Sequence, residues 1–210
     1  MRTQDLISAL AADTLPQPPV IRQISRALVP AVAVSVVAFI LFWGARPDIV
    51  ATLGSMAVLK TLGPLALVAL SVAYALALSH PGVADERRKI ALGGALLLCA
   101  LLFVVVFAQQ GLAGLAGALS TPSLLVCLLS VPVLAAPLLA AMLWGLSSGA
   151  SMRPRVTGAA AGLAAGGAAA ALYSFYCDKD MVLFVLPAYS VAIGSVVLAG
   201  ALLGPRALKW

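Results

Sequence analysis

The chain has 210 residues, of which 63% are hydrophobic and 10% charged, and a mean hydropathy of +1.11, which leaves too little polar surface for a water-soluble globule. Its net charge of +6 is scattered over the breaks between apolar runs rather than gathered on one domain, which argues against a nucleic-acid-binding module and makes charge a guide to topology. An aromatic share of 6% alongside 18 glycines suits closely packed helices of small residues better than an aromatic-girdled barrel.

The first 26 residues form a tail. Its apolar run begins late and is preceded by Asp5 and Asp13 as well as by arginines, so it does not read as a cleavable signal peptide. Within residues 3–13, TQDLISALAAD, Thr3 can cap a short helix on which Leu6, Ile7 and Leu10 share one face. Such a helix is too short to be stable alone and would order by laying that face in a groove of another protein, with Asp5 and Asp13 meeting basic residues at the rim. Lying on the membrane surface is the alternative. Residues 15–19, LPQPP, read as a semi-rigid spacer.

Six apolar stretches then follow at residues 27–45, 61–79, 90–108, 124–146, 156–173 and 181–203, each long enough to cross a hydrocarbon core of about 30 Å. The start of the second is the least defined, because residues 49–59 are also mostly apolar and either extend it or lie at the interface. The breaks carry turn chemistry at Arg46-Pro47-Asp48, His80-Pro81-Gly82, Thr121-Pro122, Arg153-Pro154 and Gly204-Pro205. The expected fold is all-α and polytopic: a tail over 1–26, six transmembrane helices over 27–204 and a second tail over 205–210.

Lysine and arginine counts orient it. Arg2, Arg22, Arg26, Arg87, Arg88, Lys89, Arg153, Arg155, Arg206 and Lys209 fall on one side, against Arg46, Lys60 and Lys179 on the other. Both termini are therefore expected in the cytoplasm, and the break at 173–180, YSFYCDKD, outside it. That topology sorts the cysteines: Cys127 and Cys177 share the non-cytoplasmic face, while Cys99 lies near the bilayer midplane as a small apolar residue. His80 falls on the opposite face and cannot join them. Two thiols facing an oxidising compartment can form a disulfide, bind a soft metal or be oxidised; spacing alone leaves independent packing equally open. Asp178 and Asp180 beside Cys177 match no standard zinc pattern, and a solvated turn, with Asp180 near the start of the last helix, is the preferred reading.

Charged side chains are nearly absent from the spans, which argues against an ion-coupled transporter. Ser71, Ser130 and Ser190 have no neighbouring base to activate them, and neither a phosphate loop nor an HExxH sequence is present. Gly158, Gly162 and Gly166 form a GxxxGxxxG face, repeated at Gly200 and Gly204, that suits close helix packing within the chain.

The tail motif at 3–13, the Arg46-Pro47-Asp48 turn with Lys60 downstream, the Pro81-Gly82 turn, Cys127, and the run from Leu172-Tyr173 through Cys177, Asp180, Phe184, Tyr189 and Gly200–Arg206 to Trp210 together resemble the NrsF family of bacterial membrane anti-sigma factors. The chain departs from the family pattern at Tyr176-Cys177-Asp178-Lys179-Asp180, where members often carry His-Cys-Pro-Glu-Asp, and at Ala188-Tyr189, where they often carry Trp-Tyr. The resemblance implies a six-helix inner-membrane protein, without enzymatic activity, that holds an extracytoplasmic-function sigma factor at the cytoplasmic face until metal or oxidative stress arrives. It also implies that the cysteines at 127 and 177 take part in the response. No cofactor is expected, and the partners implied are the sigma factor and the lipid bilayer, without direct nucleic acid binding. Contact between the sigma factor and the basic loop 85–89 is left open. Two other readings are a small-molecule transporter or channel subunit, and a redox enzyme; the last needs a readily ionised thiol at Cys177, which Asp178 and Asp180 oppose.

Overall fold

The computed structural model describes residues 3–12, 19–48, 56–80, 82 and 86–208. Among them are seven α-helices and no strand: α1 (Thr3–Ala12), α2 (Val20–Phe42), α3 (Leu59–Leu78), α4 (Glu86–Leu119), α5 (Ser123–Leu146), α6 (Pro154–Tyr173) and α7 (Val182–Ala207). The last six are long and apolar enough to cross a membrane, so the all-α, six-span expectation is met. A single 3₁₀ turn, Met56–Val58, leads into α3; most of the preceding apolar segment lies outside the described residues.

Six antiparallel crossings give the bundle two ends. The start of α2 and the end of α7 share one, here the terminal end, and the α6–α7 link lies at the other, here the Cys177 end. At the centre is α6, whose Ala and Gly residues leave almost nothing between its backbone and its neighbours; 72% of its most apolar window is buried. It packs against α7, α3 and α5, while α2 packs on α5. Because lipid is as apolar as leucine, helices in a bilayer are held by close van der Waals fit rather than by hydrophobic exclusion. The glycines supply it: a methyl group added at Gly158 would strike the Gly200 carbonyl and the Gly204 Cα, and one at Gly162 would strike the Val196 carbonyl. Gly166 sits more loosely, against Ile193. The glycine face is thus spent on the α6–α7 contact. By contrast only Leu92 and Ala118 of α4 are buried, and most of that helix faces outward with leucine, valine and isoleucine side chains.

Several boundaries differ from the sequence expectation for identifiable reasons. α2 begins at Val20, directly after an extended Pro19, because Val20 and Ile24 form a buried face while Arg22 and Arg26 point outward; one apolar face is enough to start a helix. α4 starts at Glu86, so Arg87, Arg88 and Lys89 are its first turn rather than a loop. It then continues past the expected end to Gly111, whose φ of 65° and ψ of −168° break it into residues 86–110 and 112–119. The first segment is about 37 Å long at 1.5 Å per residue, enough to leave the hydrocarbon before the break. α7 runs through Gly204-Pro205 to Ala207 because Gly204 is seated against Pro154 and Gly158, and a proline so near the end removes little of the helix that follows.

Few polar groups tie the bundle together. Ser35 Oγ of α2 donates to the Leu134 carbonyl of α5 at 2.9 Å. At the terminal end the Ala150 amide donates to the Ser79 carbonyl at 2.9 Å, and the Ser151 and Thr157 hydroxyls lie 2.6 Å apart. Gly145 of α5 is covered by Ile24 of α2, and Gly149 by Ser79 and Val20.

Candidate functional site

The chain leaves α6 after Tyr173 and re-enters α7 at Val182, and the short link is held by three separate elements. Its own helix holds it first, through the Cys177 amide donating to the Tyr173 carbonyl at 3.1 Å. α3 holds it next: Thr61 Oγ1 lies 2.6 Å from Ser174 Oγ, and Lys60 Nζ donates to the Cys177 carbonyl at 2.5 Å and to Asp180 Oδ1 at 2.5 Å. The turn after α2 completes the hold. The Arg46 amide donates to the Phe175 carbonyl at 2.9 Å, and Arg46 Nη1 donates to the Cys177 carbonyl at 3.1 Å and to Asp180 at 3.3 Å. The guanidinium also grips Asp48 with two bonds of 2.6 Å from Nε and Nη2, the parallel geometry in which arginine binds carboxylate best.

Burial sets the weight of these contacts. The Lys60 side chain is only 4% exposed and that of Arg46 10%, whereas Asp180 is 36% and Asp48 57% exposed. A buried ammonium cannot be left without partners, and Lys60 has the Asp180 carboxylate and the Cys177 carbonyl. Its neighbours raise the hold of Arg46 on its proton, Asp48 most and Asp180 next, against the cost of desolvation; the same hydrogen bonds from Arg46 keep the Asp48 carboxyl below its usual range.

Beneath this clasp lie the thiols. Cys127, one turn into α5, is fully buried, and Cys177 is 2% exposed; neither is in a disulfide. They belong to one core cluster with Tyr173, Phe184 and Tyr189, and each thiol is an electrostatic neighbour of Tyr173 and Tyr189. Cys127 also has Cys177 as an electrostatic neighbour, so the α5 start and the α6–α7 link carry the two cysteines to the same end of the bundle, within electrostatic range of each other. The rings of Tyr173 and Tyr189 pack edge to face at 6.4 Å. Tyr189 Oη is the one buried side-chain N or O atom among the described residues without a hydrogen-bond partner, a polar group facing soft sulfur. Cys177 Sγ donates weakly to the Lys179 carbonyl at 3.8 Å. Burial pushes the Cys177 thiol up; the Lys179 contact and the charge of Lys60 oppose this, and Asp178 and Asp180 add to it. The resting group is a protonated, occluded thiol, unlike the exposed, readily ionised cysteine of a redox catalyst.

The remaining candidates are distributed elsewhere. Asp178 faces outward and pairs with Lys179 at 3.1 Å, so neither acidic neighbour of Cys177 turns toward the sulfurs. Among the described residues no group of three or more His, Cys, Asp and Glu forms a cation site. Cys99 is half-buried on α4 and lines a shallow apolar groove with Phe103, Leu186 and Pro187. His80 is exposed just past α3, its Nδ1 2.9 Å from the Leu76 carbonyl. On α1, Asp5 and Ile7 are exposed; Leu6 and Leu10 are on the same helix with side chains outside the described set, and Asp13, the 15–18 spacer and Asp85 lie outside the described residues. Sequence reasoning missed the joint action of Arg46, Lys60 and Asp180. Read one loop at a time they are a turn, a stray cation and a helix start. The signal that could have found them was two basic residues on the side that the positive-inside rule leaves poor in them.

A family model described as "Negative regulator of sigma F" matches residues 10–210, which takes in the bundle and leaves most of α1 outside. The chain is 33% identical over 229 aligned positions, covering 100% of both proteins, to the anti-sigma-F factor NrsF of Caulobacter vibrioides. It is 36% identical over 84 positions, 40% of this chain and 39% of the other, to the probable anti-sigma-F factor NrsF of Azospira oryzae. No solved structure is significantly similar to the chain. A family match over nearly the whole length and a full-length relative sharing a third of its residues place this six-helix chain in the NrsF family of negative regulators of sigma F.

Proposed function

We propose that the chain is an inner-membrane anti-sigma factor that holds an extracytoplasmic-function sigma factor at the cytoplasmic face and releases it on metal or oxidative stress. Both termini are cytoplasmic in this reading, following the excess of Lys and Arg at the terminal end, and the Cys177 end faces the opposite compartment. The tail that precedes α2 recruits the partner: Asp5, Leu6, Ile7, Leu10 and Asp13 are its contact residues, with the apolar face of α1 entering a groove on the sigma factor. The protein regulates; it does not catalyse.

The observation that supports the sensing step is that two free, buried thiols, Cys127 near the start of α5 and Cys177 in the α6–α7 link, lie in one core cluster at the same end of the bundle, within electrostatic range of each other. A soft metal ion can bridge two thiolates, and a two-electron oxidant can take two electrons and two protons from the pair to leave a disulfide. Either event ties the start of α5 to the α6–α7 link. It shifts the equilibrium between holding and releasing arrangements only as far as it favours one of them.

Two measurements test this. Co-purification of the sigma factor with the full-length chain should be lost when residues 2–19 are deleted, and full capture by the truncated chain rules out docking through the tail. Cys127→Ser/Cys177→Ser should blunt induction of the sigma-dependent genes by cadmium or peroxide, and an unaltered response removes the thiols from the switch.

A further inference from the structure

Cys177 is almost completely covered, so whatever reacts with it must wait for the α6–α7 link to lift. Before Cys177 the link is held by Thr61 on Ser174 and by the Arg46 amide on the Phe175 carbonyl; at and after Cys177 the side-chain bonds that other elements make to it come from Lys60 and Arg46. Lys60 and Arg46 both bond the Cys177 carbonyl, and both bond the Asp180 carboxylate three residues on, so one pair of cations holds the backbone at Cys177 itself and the chain just beyond it. Lys60 approaches from the start of α3 and Arg46 from the turn after α2, so lifting the link parts it from two other elements at once. The same movement takes Asp180 from Lys60, whose ammonium is buried in the closed arrangement.

We propose that Lys60, Arg46 and Asp180 are positioning residues that hold Cys177 in its buried seat and thereby set the rate at which the thiol can be reached. This rests on the reading above that Cys177 is the responding thiol. The clasp makes the resting sulfur slow to react, and opening it is the step before any chemistry at the pair. None of the three residues touches the reagent or bonds to the sulfur; they act through the backbone that carries it.

The test is the alkylation rate of each cysteine in the full-length protein in native membrane vesicles, using a charged maleimide on opened vesicles and site-resolved mass spectrometry. Lys60→Met and Asp180→Asn should each speed modification of Cys177 tenfold or more relative to Cys99. Lys179→Gln removes the same unit of positive charge from the link without touching the clasp and should leave the Cys177 rate within twofold. Rates at Cys177 within twofold of the unsubstituted chain in both clasp variants overturn the proposal. An equal rise at Cys99 in both also overturns it, by assigning the residues to general stability. Induction of the sigma-dependent genes in the same strains separates this from the sensing reading: a faster Cys177 with unaltered induction leaves the clasp standing and removes the thiol from the switch.

Discussion

The α6–α7 seam gives the sharpest quantitative expectation, because two glycines on it and beside it predict opposite outcomes for one substitution. At Gly158 an added methyl meets backbone, the Gly200 carbonyl and the Gly204 Cα, which no rotamer change can clear. The two helices must separate over the stretch where they are closest, an overpacking cost of about 1–3 kcal/mol. At Gly194, in the middle of α7, the same methyl meets nothing within 4 Å, and replacing a mid-helix glycine by alanine is worth up to about 1 kcal/mol in helix propensity. Gly158→Ala should therefore lower the thermal midpoint of the detergent-solubilised protein by about 2–12 °C, at about 2–4 °C per kcal/mol for a chain of this size, while Gly194→Ala leaves it unchanged or raises it. Static light scattering or a thiol-independent dye assay on both variants, purified identically, measures this. Equal midpoints for the two would show that the α6–α7 approach is looser than described and would refute the account of α6 as the close-packed centre.

Two further outcomes follow from single contacts. Since burial raises the Cys177 thiol, deprotonation is deferred to higher pH: its alkylation should climb through and beyond the ordinary thiol range, and a midpoint at or below about 8.5 in a rate-versus-pH series on vesicles contradicts a buried seat. Ser35→Ala removes the hydrogen bond from α2 to the Leu134 carbonyl, a loss of about 0.6 kcal/mol by the average for such bonds in bilayers; a destabilisation beyond about 2 kcal/mol in detergent unfolding would mean that Ser35 does more than this one bond.

Much of the architecture was legible because hydropathy in a membrane chain reports span length directly. The six spans and the glycine face on α6 could both be read from residue order. What could not be read depends on partners from other helices. Gly158 signals that something comes close, yet nothing in its own neighbourhood names Gly200. Helix ends are hard to read for a related reason: the second span was set at residues 61–79 with its start left open, which put Lys60 at an undefined boundary, whereas α3 begins at Leu59 and carries Lys60 inward against Asp180. An offset of two residues hid the most deeply buried cation of the site. For the two thiols residue order gave a shared depth and no more, because depth fixes one coordinate of three.

Among the helices that run from one end of the bundle to the other, α5 links the thiol cluster to the start of α2. Near its start it carries Cys127, inside the thiol cluster; near its finish it carries Gly145, against which Ile24 of α2 is seated so closely that a methyl group there would meet the Ile24 backbone. Ile24 lies one turn into the helix on which the N-terminal segment is mounted. A rotation or slide of α5 provoked at Cys127 thus meets Ile24, whose backbone N and Cα crowd Gly145 along with its Cγ1, and the backbone part of that contact passes the movement to α2. The α2–α5 hydrogen bond from Ser35 to Leu134 lies between these points and opposes independent sliding of the two helices. α4, with most of its surface turned outward, has no such grip on α2. In the proposed switch, α5 and α2 are therefore the pair whose relative position must differ between the holding and releasing arrangements, because together they connect the thiol cluster to the root of the tail.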